Sequence, residues 1–191
     1  IELPDGTQVW LNHNSELVYN NKDFGRINRE VTLTGEAFFD VTANGKLPFI
    51  IHAATVNITV LGTAFNVKAY TTDKTVSTTL IRGKIAISFR EQPGKIIELR
   101  PDEKLTVPVA AMPQEIIQHK ILKDSNGNVP EISWLNGKLA FDDETFGELS
   151  KKMENWYGVT FHFEDPALSR LRFSGVIDTA PVNDALGALQ L

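Results

Sequence analysis

The sequence predicts an all-β domain over residues 1–111, built as a solenoid or a rolled β-sandwich. A linker at 112–132 joins it to a small α+β domain over 133–191 with βαβ-βα order, truncated at its C-terminus. Three observations predict this. Short runs of strand formers broken by turn residues fill Leu3 to Leu105, without helical spacing. From Met112 to Ile132 the periodicity fades, and Lys123–Asn128 is polar and turn-rich. Beyond Lys138, apolar residues at helical spacing lie between short strands.

Pro4-Asp5-Gly6 reads as a turn, because proline presets φ and Asp-Gly supplies positive φ. Val9 and Leu11 then alternate with Gln8 and Asn12, and Asn12-His13-Asn14-Ser15 forms a second turn. In the clearest strand Val31, Leu33, Ala37, Phe39 and Val41 share one parity. Glu30, Thr32, Thr34, Glu36, Asp40 and Thr42 share the other, so one face is buried and one is wet. Val56, Ile58 and Val60 start another strand whose parity flips to Phe65 and Val67, which predicts a β-bulge at Gly62. Ile81, Ile85, Ile87 and Phe89 form a third run, interrupted by Gly83.

These runs repeat one another. Val31-Thr32-Leu33-Thr34-Gly35-Glu36-Ala37-Phe38-Phe39 aligns without gaps on Ile58-Thr59-Val60-Leu61-Gly62-Thr63-Ala64-Phe65, and Thr79–Ile87 is a weaker third copy. The glycines lie 27 and 21 residues apart. Such periods point to stacked β-coils or a rolled sandwich. A two-sheet sandwich whose strands each carry a glycine kink fits the same residues.

In the second domain Lys138–Phe141 is a short strand. Phe146, Leu149, Met153 and Trp156 form one helical stripe, Thr145–Glu148 has capping-box form, and Gly158 ends the helix in the left-handed conformation. Val159, Phe161 and Phe163 alternate as a strand would, and Arg172–Val176 is another strand. Pro181 opens a last helix with the stripe Val182, Leu186 and Leu189.

Composition narrows the chemistry. The chain has 191 residues, 42% hydrophobic and 23% charged, as a globular protein has. It contains no cysteine, which excludes a disulfide framework, a thiol nucleophile and thiolate metal sites. The net charge of −5 is carried entirely by the residues after 110, and the absence of a polybasic run argues against a nucleic-acid partner. The longest apolar stretches, Pro48–Ala54 and Val107–Pro113, fall short of the ~18–20 residues of a membrane helix. The chain opens in mid-pattern at Ile1, without a starting Met, and stops in mid-helix at Leu191, as a fragment of a longer protein would.

No catalytic, metal or cofactor residue is assigned. His13, His52, His119 and His162 lack metal spacing, and no G-x-S-x-G, Walker or G-x-G-x-x-G motif occurs. Glu36 and Asp40 share a strand face but stand about 13 Å apart, beyond glycosidase carboxylate pairs. Asp142-Asp143-Glu144 could hold a hard cation, although solvation of the helix start accounts for it more simply. Trp10 and Phe38 fall on polar strand faces and are expected to be covered by a second layer.

Leu3-Pro4-Asp5-Gly6-Thr7-Gln8-Val9-Trp10-Leu11-Asn12, followed by Ser15, resembles the opening of the FecR family of periplasmic sensor domains. Val31–Val41, Val60–Val67 and Leu80–Lys84 continue the resemblance in order. Trp134–Leu191 resembles the C-terminal domain of the family's Bacteroidetes branch, which is similar to the short signalling domain of secretins and TonB-dependent receptors.

The resemblance implies the periplasmic sensing region of an anti-sigma regulator anchored in the inner membrane, not an enzyme. It would relay the state of an outer-membrane, TonB-dependent, SusC-like transporter to an extracytoplasmic-function sigma factor. Its partners would be the transporter's signalling domain and, through a cytoplasmic segment absent from this chain, the sigma factor. The membrane helix would lie upstream, also outside the chain. The docking surface is expected on the second domain or at the junction. The alternative is a carbohydrate-binding β-module or glycan-active enzyme, motivated by Trp10, Phe38 and the acidic C-terminal part.

Overall fold

Residue parity along one long strand organises the first half of the molecule. The computed structural model describes residues 1–110, 116–123, 127–178 and 180–189. They form two units, Ile1–Ile121 and Leu122–Leu191.

Strand β3 (Arg29–Asp40) alternates buried and outward residues along its whole length, as Val31, Leu33, Ala37 and Phe39 require. Its first half lies between β2 (Glu16–Tyr19), antiparallel, and β4 (Phe49–Ala53), parallel. Its second half lies between β1 (Gln8–Leu11) and β6 (Ala64–Ala69), both antiparallel. One half of the sheet continues from β4 through β5 (Val56–Val60), β8 (Ile85–Phe89) and β9 (Gln92–Leu99). The other continues from β6 through β7 (Thr75–Arg82), β10 (Glu103–Pro108) and β11 (Ile117–Lys120). The result is a single large sheet curled on itself, an all-β domain of the rolled type, followed by a small α+β region.

The three repeated glycines mark where the chain changes halves. At Gly35, β3 exchanges one pair of neighbours for the other. Gly62 lies between β5 and β6, and Gly83 between β7 and β8. The bulge expected at Gly62 is therefore a corner joining two strands, and the register irregularity of β6 against β7 falls between Ala64 and Phe65. Gly62 is needed for close approach, since a Cβ there would sit 2.7 Å from both Cα and Cβ of Ala43. The crossing at Gly83 also corrects the third run. Leu80 is fully buried while Ile81 is only half-buried, so parity resets before Ile85.

The inward faces of both halves share one core. Phe39 stacks on Phe65 at 5.4 Å and meets Phe49 edge-on at 6.1 Å, and Phe49 in turn meets Phe24 at 5.9 Å. Each fully buried phenylalanine contributes about 1.5–3 kcal/mol. Arg29 shares the inward parity of Val31 and is 1% exposed. A buried guanidinium is tolerable only when its donors are matched. Here Nε donates to the Leu47 carbonyl at 2.7 Å, and Nη1 donates to Asp5 Oδ2 at 3.0 Å and to the Thr42 carbonyl at 2.8 Å.

In the second unit a 3-10 turn (Pro130–Asn136) leads into β12 (Lys138–Thr145), helix α1 (Phe146–Tyr157), β13 (Arg172–Asp178) and helix α2 (Val182–Leu189). β12 and β13 pair antiparallel, with an irregularity between Phe141 and Glu144. The capping box is complete. Thr145 Oγ1 accepts from the Glu148 N–H, and the Glu148 carboxylate accepts from the Thr145 N–H. Gly158 closes the helix at φ 67°.

Three expectations need correction here. Val159–Phe163 alternates but joins no strand ladder among the described residues. Its rings are claimed by the core instead, with Phe161 and Phe163 edge-on against Phe146 at 6.2 and 5.1 Å, and the Phe161 N–H donates to Glu154. Trp156 is half-buried at the margin of the α1 stripe, whose centre is Leu149 and Met153. In α2 the inward residue is Ala185, while Leu186 is 37% exposed. In the segment read as a linker, Ile117–Lys120 pairs with β10 as β11, and Pro130 opens the 3-10 turn. The rest of that reading at 112–115 and 124–126, and the chain end at Leu191, lie outside the described residues.

Met153→Ala is expected to cost about 2–5 kcal/mol, because Met153 is fully buried. Trp156→Ala should cost less, and thermal melts of the two variants check the order. Thr145→Ala should cost about 1 kcal/mol by breaking the cap. The hydrogen bonds from Thr145, side chain first, hold the Glu148 carboxyl below its ordinary value. A depressed carboxyl stabilises the fold above its unfolded value, and this is lost as pH falls through the folded value. The gap between wild type and Thr145→Ala should therefore close in acid melts.

Candidate functional site

The carboxylates singled out in the sequence, on β3 and in the β12 triplet, are held by neighbouring side chains. Glu36 accepts from the side-chain amides of Asn12 at 2.9 Å and Asn66 at 2.8 Å. Asp40, four residues along β3 on the same outward face, pairs with Arg82 at 2.6 Å. Around the triplet in β12, Asp142 accepts from Ser174 at 3.0 Å, Asp143 accepts from Arg172 at 2.6 Å and Glu144 pairs with Lys152. Two of the three charges are thus offset by cations and the third is held by a hydroxyl, and no group of three or more His, Asp or Glu among the described residues could hold a metal ion. His52 lies between Asn57 at 2.7 Å and Glu30 at 3.3 Å, and the Tyr70 hydroxyl donates to the His13 carbonyl at 2.9 Å. Burial pushes the Tyr70 phenol well above its ordinary value.

Each of the two units presents an exposed apolar feature among the described residues. In the second unit β13 has one strand neighbour, β12, so its other edge is unpaired among the described residues. The far side of β12 is engaged differently: Ser133 Oγ donates to the Lys138 carbonyl at 2.9 Å, and Lys152 Nζ donates to the Ala140 carbonyl at 3.2 Å. Val176 on β13 is 57% exposed, and Leu171 just before the strand is 41% exposed. An open strand edge flanked by exposed apolar side chains can accept a strand from another chain.

In the first unit the register pairs Trp10 with Phe38 across β1 and β3. The rings meet edge-on at 5.7 Å. The expected second layer does not cover Trp10, which is 46% exposed, while Phe38 is half-buried. The inward side of β1 is spent on Val9, 1% exposed, and the outward side meets water. Two residues along the same outward strand faces, Gln8 and Asp40 line an open cleft of about 420 Å³ together with Gly6, Thr42, Gly62 and Arg82, and the two rings do not line it.

Sequence reasoning missed Arg29 and its partner Asp5, which it placed only in a turn. Their signal was a cation in the buried parity of β3. It also missed Arg172 and Lys152 as the counter-charges of the acidic triplet, because those contacts span 29 and 8 residues.

The FecR protein family model matches residues 1–86, and the FecR C-terminal model matches residues 138–191. Two crystal structures of a candidate anti-sigma factor from Parabacteroides distasonis, at 1.65 and 2.50 Å resolution, are similar in fold. They share 29% identity with TM-scores of 0.82 and 0.81, covering 100% of this chain and 84% of theirs. No curated protein matches significantly.

Proposed function

The chain belongs to the FecR family, and from that premise we propose that it is the periplasmic sensing region of an anti-sigma regulator anchored in the inner membrane. It reports the state of an outer-membrane TonB-dependent transporter to an extracytoplasmic-function sigma factor through protein–protein contact, without covalent chemistry. The observation that carries this reading is the likeness, along the full chain, to the candidate anti-sigma factor of Parabacteroides distasonis. No helix of the described residues is long and apolar enough to cross a membrane.

The transporter's N-terminal signalling domain docks on the second unit, with the free edge of β13 as the receiving strand. Edge addition gives affinity through main-chain hydrogen bonds and specificity through alternate side chains. Val176 is the exposed large apolar side chain of that strand, one residue from its middle. Titration of the 191-residue chain with an isolated transporter signalling domain should show saturable binding. Val176→Asp should weaken it about tenfold or more while leaving the melting curve within about 0.5 kcal/mol of the parent, as for an exposed site. Binding unchanged by that substitution would move the docking surface elsewhere, and no binding would count against the transporter as partner.

A further inference from the structure

We propose that the outward face of β1 and β3 in the first unit is a binding site for a neutral oligosaccharide, independent of the protein contact assigned to the second unit. Two adjacent cross-strand pairs build it. Trp10 faces Phe38, and Gln8 faces Asp40, on the same side of the sheet. The edge-on contact at 5.7 Å fixes the indole against Phe38, yet leaves Trp10 46% exposed. An aromatic ring held in place and open to water offers a large apolar surface at small entropic cost.

The chemistry beside the rings selects the ligand. The cleft of about 420 Å³ lies within the range of small-molecule sites. Asp40, Arg82, Gln8 and Thr42 bring acceptors and donors to it together. Asp40 and Arg82 are ion-paired at 2.6 Å, with side chains 42% and 66% exposed. That bond uses one carboxylate oxygen and one guanidinium nitrogen. The other polar atoms of the pair remain to hydrogen-bond a ligand. Because the charges balance, a net anion or cation gains nothing here. A sugar hydroxyl both donates and accepts, so it can bridge carboxylate and guanidinium, while the ring's C–H face lies on Trp10. Neutral sugars combine an apolar face with a rim of hydroxyls, which is the pattern these residues complement.

Two glycines among the lining residues allow close approach of neighbouring chain segments. Gly6 and Gly62 line the cleft, and a Cβ at Gly62 would collide with Ala43, another lining residue, at 2.7 Å. Fold constraints thus hold the cleft's shape.

The test is an array of neutral glycans followed by calorimetric titration of the intact chain with whichever oligosaccharides bind. Saturable binding is expected, reduced about tenfold or more by Trp10→Ala and several-fold by Arg82→Met. Arg82 is exposed and its variant should melt with the parent, while Trp10→Ala gives up the contact with Phe38 and should melt somewhat earlier but still cooperatively, which separates lost binding from lost fold. No binding by any neutral glycan overturns the assignment. So does glycan binding that survives Trp10→Ala, or a face that takes up only peptides.

Discussion

Arg29→Met is expected to destabilise the first unit by about 3–5 kcal/mol, as removing one member of a buried ion pair does. The side chain is 1% exposed and its partner Asp5 is 10% exposed, so the orphaned carboxylate could not recover its hydration. The same guanidinium serves the carbonyls of Leu47, Thr42 and Asn44 and lies 5.7 Å from the Phe49 ring centroid. One residue thus ties the N-terminal turn, the start of β3 and the loop after it. Methionine keeps much of the apolar stem and loses every donor. Urea melts of Arg29→Met, Asp5→Asn and the double variant should show a double-variant cost below the sum of the singles. A parental melting curve for Arg29→Met would remove this account of how the unit closes.

Gly35→Ala is the second large effect, expected at about 2–5 kcal/mol from two sources. The backbone there is at φ 98°, which costs an L-residue about 1–2 kcal/mol. A Cβ would also lie 2.4 Å from Ser15 Oγ and 2.7 Å from Ser15 Cα, an overpacking that costs about 1–3 kcal/mol. The approach is close because the Glu36 N–H donates to Ser15 Oγ at 2.8 Å at the point where β3 changes neighbours. Gly45→Ala is the control, with nothing within 4 Å of the added atom and an expected effect within about 0.5 kcal/mol. Equal melting curves for the two variants would contradict the crossing.

What the sequence made legible follows from locality. The parity of β3, the Thr145–Glu148 capping box and the Gly158 stop are set by residues a few positions apart, and the structure carries all three. The repeat at Gly35, Gly62 and Gly83 was also visible, but a repeat does not say whether its glycine bends one strand or joins two. Only the pairing of β5 with β4 and of β6 with β3 decides that. Val159–Phe163 misled because alternation records which side chains are buried, and three aromatic rings clustered on Phe146 satisfy burial without a strand ladder. In α2, Leu186 outranked Ala185 in hydrophobicity, yet the smaller residue faces the core. On the candidate surfaces, the exposure of Trp10 and the open edge of β13 are properties of strand order, which no single segment encodes.

The most direct test of the sensing account is the transcriptional output of the cognate sigma factor in cells carrying the full-length regulator. The regulator lacking residues 122–191 is compared with the intact protein while the transporter is occupied or empty. The account predicts output that follows the transporter for the intact protein and no longer follows it for the deletion, with Val176→Asp intermediate or equally uncoupled. Output that tracks the transporter unchanged without the second unit would contradict it.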